Sequence, residues 1–113
     1  MATGPMNLWD LGLLDAWRTV LSRVRFSGEW NPGWRAGTLR SPRPADPEAV
    51  LRGRRRRTLI LHGAEDLVFP VEVAHRLHAA VPHSELALVA DAGHAAHVER
   101  RSEWVGRLRR FLR

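Results

Sequence analysis

Residues 58–70 read T-L-I-L-H-G-A-E-D-L-V-F-P, and the interpretation of this stretch sets the class of fold. Thr58 to Leu61 is a short apolar run without polar alternation, the pattern of a strand covered on both faces. It ends at His62 and Gly63, turns through Ala64-Glu65-Asp66, and meets Pro70. That proline opens a helix whose Val73, Ala74, Leu77 and Val81 form one face before Pro82 stops it. Glu85 to Ala90, E-L-A-L-V-A, is a second short apolar run and a second strand. The last segment carries Trp104, Val105, Leu108, Phe111 and Leu112 at helical spacing. Arg107, Arg109, Arg110 and Arg113 fall elsewhere on it, as suits the negative end of a helix. The order strand, helix, strand, helix predicts an α/β fold with two parallel strands and a right-handed crossover.

In a parallel arrangement, functional groups gather at the carboxyl edge of the sheet, where strands end and loops begin. Both strands end there in polar residues: His62-Gly63-Ala64-Glu65-Asp66 after the first, Asp91-Ala92-Gly93-His94 after the second. Adjacent strands lie about 4.8 Å apart. Loops leaving the same edge therefore can bring Asp66 within hydrogen-bond reach of His94. A carboxylate beside an imidazole holds the base in one tautomer and stabilises its cation, which is two-thirds of a catalytic triad.

With these residues in view, the chain resembles the C-terminal portion of the α/β-hydrolases over residues 58–113. T-L-I-L-H-G-A-E-D-L-V-F-P is similar to the strand and loop that bear the family's acid, with Asp66 at the acid position and Pro70 at the start of the next helix. A-D-A-G-H-A-A-H-V-E resembles the loop that bears its histidine, with His94 after Gly93. E-R-R-S-E-W-V-G-R-L-R-R-F-L resembles the closing helix. The order acid then histidine is also the family's. The family has an early strand ending in His-Gly as well, but the D-x-x-x-P that follows here matches the late, acid-bearing strand. The resemblance implies Asp66 as orienting acid, His94 as general base, and hydrolysis of an ester, amide, epoxide or related acyl-type substrate.

The family's nucleophile stands in a G-x-S-x-G turn upstream of the acid, and no such pattern occurs in this sequence. Ser22 lies in a helical pattern, Ser27 follows Phe26, Ser41 stands in a proline-rich loop, and Ser84 and Ser102 come after the acid. The early oxyanion-hole strand is missing too. A base and an acid without a nucleophile have only water to activate. The expectation is a hydrolase-family portion that is inactive alone: a fragment, a remnant, or a half that docks to a nucleophile-bearing portion or associates with itself.

The first 57 residues form a separate region in this reading. Leu13, Leu14, Trp17, Val20, Leu21 and Val24 make an apolar stripe between Asp10 and Val24, so an amphipathic helix is predicted there that needs a partner surface. Ser27 to Pro47 reads as a long Gly/Pro-rich linker. Asp46-Pro47 is a helix start, with a short helix to about Arg52. On the resemblance, residues 7–57 are the remnant of a cap, with Trp30 and Trp34 once facing an acyl or apolar substrate.

Composition bounds the rest. The chain has 113 residues, no cysteine and a net charge of +6, which excludes disulfide frameworks and thiolate metal sites. Its start shows no secretory pattern, and no apolar run approaches the ~18 residues of a membrane span. A cytoplasmic protein is expected. All 18 basic residues are arginine, so attraction to nucleic acid or an anionic surface is the rival reading, carried by Arg52 and Arg54 to Arg57. No aromatics are interleaved with that run, so it reads first as a solvated connector. His94 with His97, and His75 with His78, have helix-face spacing for a metal, but completing a site would need His62 and Glu99 as well. No metal or cofactor is expected. His75 and His78 are read as solvent-facing, His97 as lining the cleft mouth, and Trp17 and Trp104 as core.

Overall fold

The computed structural model describes residues 5–25, 27–39 and 44–113. After a 3-10 turn at Pro5–Asn7 and another at Leu11–Leu13 come helices α1 (Leu14–Ser22), α2 (Asn31–Arg35) and α3 (Pro47–Arg54). The second half runs β1 (Thr58–Gly63), α4 (Val71–Ala80), β2 (Ser84–Val89), α5 (Ala96–Glu99) and α6 (Arg101–Phe111). β1 and β2 pair in parallel, in register from Thr58 opposite Ser84 to Gly63 opposite Val89. This is the α/β fold that the apolar runs and the intervening helix imply, in partial form: a two-stranded parallel sheet with helices.

Helix starts follow local chemistry. Asp46 caps α3 by accepting from the Ala49 N–H at 2.9 Å, and Pro47 fills the first turn, where its missing N–H costs nothing. Pro70, at φ −54°, leads into α4. α4 and α6 each pack against both strands. Val89, Ala92 and Ala96 form the buried cluster, with Leu61 and Trp104 packed on it. Ala74 on α4 is buried, and Val81 just after it is fully so.

Three readings of the sequence need correction. β1 is not covered on both faces, since Leu59 and Leu61 are half-buried and only Ile60 and Gly63 are buried. A sheet of two strands leaves one edge of each without a neighbour among the described residues, so side chains near those edges stay partly open. The stretch 27–47 is not continuous loop, because α2 lies within it. There Trp30 and Trp34 are exposed and meet edge to face with centroids 6.0 Å apart. Trp17 is not core: along the α1 stripe Leu13, Leu14, Trp17 and Leu21 are half-buried, no residue of the helix is fully buried, and Val20 is 40% exposed. His78 is exposed, as read, and it also has a partner. Its Nδ1 lies 2.8 Å from the Ser84 hydroxyl, which itself donates to the Val81 carbonyl at 2.7 Å and ties the end of α4 to the start of β2. Ser41, quoted above, lies outside the described residues. No helix among the described residues is long and apolar enough to cross a membrane.

Candidate active site

The site is built where the two strands end. Beyond the last paired residues the ladder continues into the loops: the Ala64 N–H donates to the Val89 carbonyl and the Glu65 N–H to the Ala92 carbonyl, both at 2.9 Å. The loops then run so close that a Cβ on Gly63 would lie 2.2 Å from the Gly93 oxygen and 2.4 Å from the Ala92 oxygen. Glycine at position 63 is thus a packing requirement. Asp91 takes a left-handed conformation, φ 49°, which short polar side chains tolerate, and the chain turns there toward His94.

This approach puts Asp66 and His94 together, 28 residues apart in sequence. The Asp66 side chain is 3% exposed. Its Oδ1 accepts from the Val68 and Phe69 N–H groups at 2.8 and 3.0 Å, which fixes the side chain. Its Oδ2 lies 3.0 Å from His94 Nδ1. Burial pushes the Asp66 carboxyl up, but the Phe69 N–H, the His94 ring and the Val68 N–H together favour the ionised form more strongly. The net result is a carboxyl below its ordinary value. An ionised carboxylate only accepts, so neutral His94 carries its proton on Nδ1 and leaves the Nε2 lone pair free.

A cavity of about 270 Å³ opens beside the pair, lined by Leu61, His62, Gly63, Asp66, Phe69, His94, Ala96, His97 and Trp104. The Phe69 ring lies 5.5 Å from that of His94, and the Trp104 ring 6.1 Å from that of His97. His97 thus lines the cavity and Trp104 backs it. No hydroxyl or thiol side chain is among the lining residues.

Two participants escaped the sequence reading. His62 Nε2 donates to the Phe69 carbonyl at 2.9 Å and stands 3.6 Å from Asp66 Oδ2, so a second imidazole braces the acid loop. Its place as the penultimate residue of the strand, four before the acid, was the available signal. Glu99, weighed only as a metal ligand, has its carboxylate spent on the backbone. It accepts from Trp9 at 2.7 Å, Asp10 at 2.8 Å and Gly93 at 2.6 Å. No sequence pattern marked it, because its partners lie up to 90 residues away. His75, on α4, lies outside the cavity lining. Among the described residues no group of three or more His, Asp or Glu side chains is placed to hold a metal ion.

Residues 6–101 match the family model of the alpha/beta hydrolase fold. Over 101 residues the chain is 29% identical to a 2-hydroxy-6-oxo-2,4-heptadienoate hydrolase of Pseudomonas putida, a match that covers 81% of this chain and 37% of that protein. The chain thus spans little more than a third of the length of the curated relative it matches. No solved structure matches it. With the family model covering most of its length, the chain belongs to the alpha/beta hydrolase fold family.

Proposed function

We propose that Asp66 and His94 are the acid and the general base of a hydrolytic triad whose nucleophile is supplied from outside these 113 residues. The observation that carries this reading is the 3.0 Å contact between Asp66 Oδ2 and His94 Nδ1, on loops that leave adjacent parallel strands and flank an open cavity. In the reaction, His94 Nε2 takes the proton of the attacking hydroxyl as the bond to the acyl carbon forms. It then returns that proton to the leaving group as the bond between the acyl carbon and that group breaks; water, deprotonated by the same nitrogen, next attacks the acyl carbon, and the nucleophile leaves with the proton. Asp66 keeps the ring in its Nδ1–H form and offsets the charge of the imidazolium. The substrate is an ester, amide, epoxide or related acyl compound. The relative's name adds small oxo acids to that class. Residues 7–57 serve as a cap remnant, and the strand edges that have no neighbour among the described residues, with the exposed apolar side chains, dock to a nucleophile-bearing portion or to a second copy. The working compartment is the cytoplasm.

The test uses the chain as it stands with a nitrophenyl ester. Turnover should be slow, because water is the attacking group. It should vanish in His94→Ala, weaken in Asp66→Asn, and persist in His75→Ala, which alters an exposed histidine outside the cavity. Turnover equal in all four proteins would end the proposal.

A second reading has one observation in its favour. The Arg57 guanidinium lies 4.5 Å from the Phe111 ring centroid, so the run Arg54 to Arg57 meets the end of α6, where Arg109 and Arg110 are exposed. That contact brings one arginine of the run beside the helix end that bears Arg109 and Arg110, while Arg57 also pairs with Glu85 at 3.2 Å; basic residues gathered in this way are what a nucleic-acid binder would use. Salt-sensitive retention on RNA that disappears when Arg54 to Arg57 are changed to Gln, with ester turnover untouched, would favour it over catalysis.

A further inference from the structure

We propose that Glu99 is a positioning residue for His94, and that through it the segment 7–10 becomes a working part of the site. The inference rests on the reading of Asp66 and His94 as acid and base.

The loop bearing His94 is held from two sides. On one side is the acid loop, bound through the Ala92 carbonyl and pressed against Gly63. On the other lies segment 7–10. The Ala95 N–H donates to the Asn7 carbonyl at 2.8 Å. A Cβ on Gly93 would stand 2.9 Å from the Trp9 nitrogen, so the two backbones are in direct contact. Leu8 is 2% exposed and anchors the segment.

Glu99 closes this arrangement. Glu99 is 7% exposed, and a carboxylate so placed needs compensation. The compensation is three backbone N–H groups: Trp9 and Asp10 on Oε1, Gly93 on Oε2. One carboxylate therefore grips the segment with one oxygen and the residue immediately before His94 with the other. Charge-assisted bonds of this length are stronger and more directional than neutral ones. They fix the height of the His94 backbone over Asp66, and with it the 3.0 Å contact on which the tautomer depends.

Glu99→Gln separates the two grips. Its single oxygen can keep the Trp9 and Asp10 bonds, but its amide then faces the Gly93 N–H, donor against donor. The readout is the tautomer of His94, measured by side-chain 15N NMR on the full chain at neutral pH, beside urea denaturation. Wild type should show the Nδ1–H form. Glu99→Gln should reduce the ratio of Nδ1–H to Nε2–H by about fivefold, the weight of one ordinary hydrogen bond. Glu99→Asp, which restores two acceptor oxygens on a shorter arm, should recover part of it. Leu8→Ala, which loosens the segment without touching the carboxylate, should move the ratio the same way, and it stands as the test if Glu99→Gln does not fold. Wild-type His94 without the Nδ1–H form would sink the acid–base reading itself. A ratio unchanged in Glu99→Gln, or in Leu8→Ala, while stability falls, would overturn the Glu99 inference and leave that reading intact.

Discussion

The substitution Gly63→Ala puts the architecture of the site under the most direct strain. The added Cβ would meet the Gly93 and Ala92 oxygens at 2.2 and 2.4 Å, whereas real Cβ atoms essentially never come closer than 3.0 Å. Both obstacles are backbone, so neither can rotate away. The loops must part by about 0.8 Å or more, the shortfall against that limit. The bonds from Ala64 to Val89 and from Glu65 to Ala92, each 2.9 Å, bridge the same gap and stretch with it. Losing both costs about 2 kcal/mol and the overpacking about 1–3 kcal/mol, so the loss should total roughly 3–5 kcal/mol. That is a large share of the stability of a small domain, about 5–15 kcal/mol. Urea denaturation followed by tryptophan fluorescence measures it, with Gly53→Ala as control. No atom lies within 4 Å of a Cβ at Gly53, so that change should be neutral or slightly stabilising. Because the Asp66–His94 contact crosses the same gap, Gly63→Ala should also lose the Nδ1–H signal of His94. A variant within about 0.5 kcal/mol of wild type and with that signal intact would refute the close-approach argument.

Asp66→Asn should cost about 1–3 kcal/mol, the range for disturbing a buried acceptor with several partners, and should release His94 from its single tautomer. Both can be read by the same denaturation and 15N measurements. The Asp66 carboxyl is more acidic in the folded chain than its ordinary value of 3.8. Its ionised form therefore stabilises the fold fully above that value, and the contribution is lost as pH falls through it toward the lower folded value. A series of urea midpoints should accordingly drop below about pH 4, and by less in Asp66→Asn. Val81 and Val89 are the largest fully buried side chains, so truncating either to alanine should cost on the order of 2 kcal/mol. Val20→Ala, at an exposed position of α1, should change stability by less than about 0.5 kcal/mol. Equal costs in the core and on α1 would show that α1 is packed in solution.

Much of the fold was legible because its signals are local. A four-residue apolar run, a proline at a helix start and an aspartate before Pro47 each act through neighbours a few positions away, and β1, α4, β2, α6 and α3 stand close to where those signals put them. The pairing of Asp66 with His94 was legible at one remove, since parallel strands with a crossover leave little choice about which loops meet. α2 and α5 were not, since five and four residues are too few to show a helical period.

The sequence by itself determined the strand and helix order, the parallel pairing, and the identity of the carboxylate and imidazole at the sheet edge. The tertiary structure alone decided how tightly the two loops approach, that His62 braces the acid, that Glu99 binds backbone, and that α1 covers its apolar stripe only in part. The physical reason is range. Helix and strand patterns are set by interactions between residues a few positions apart, whereas the Glu99 contacts span up to 90 positions. Backbone N–H groups of Trp9 and Asp10 carry no side-chain signature that a sequence could display. Only folding brings such groups to one carboxylate, and only there does its role become visible.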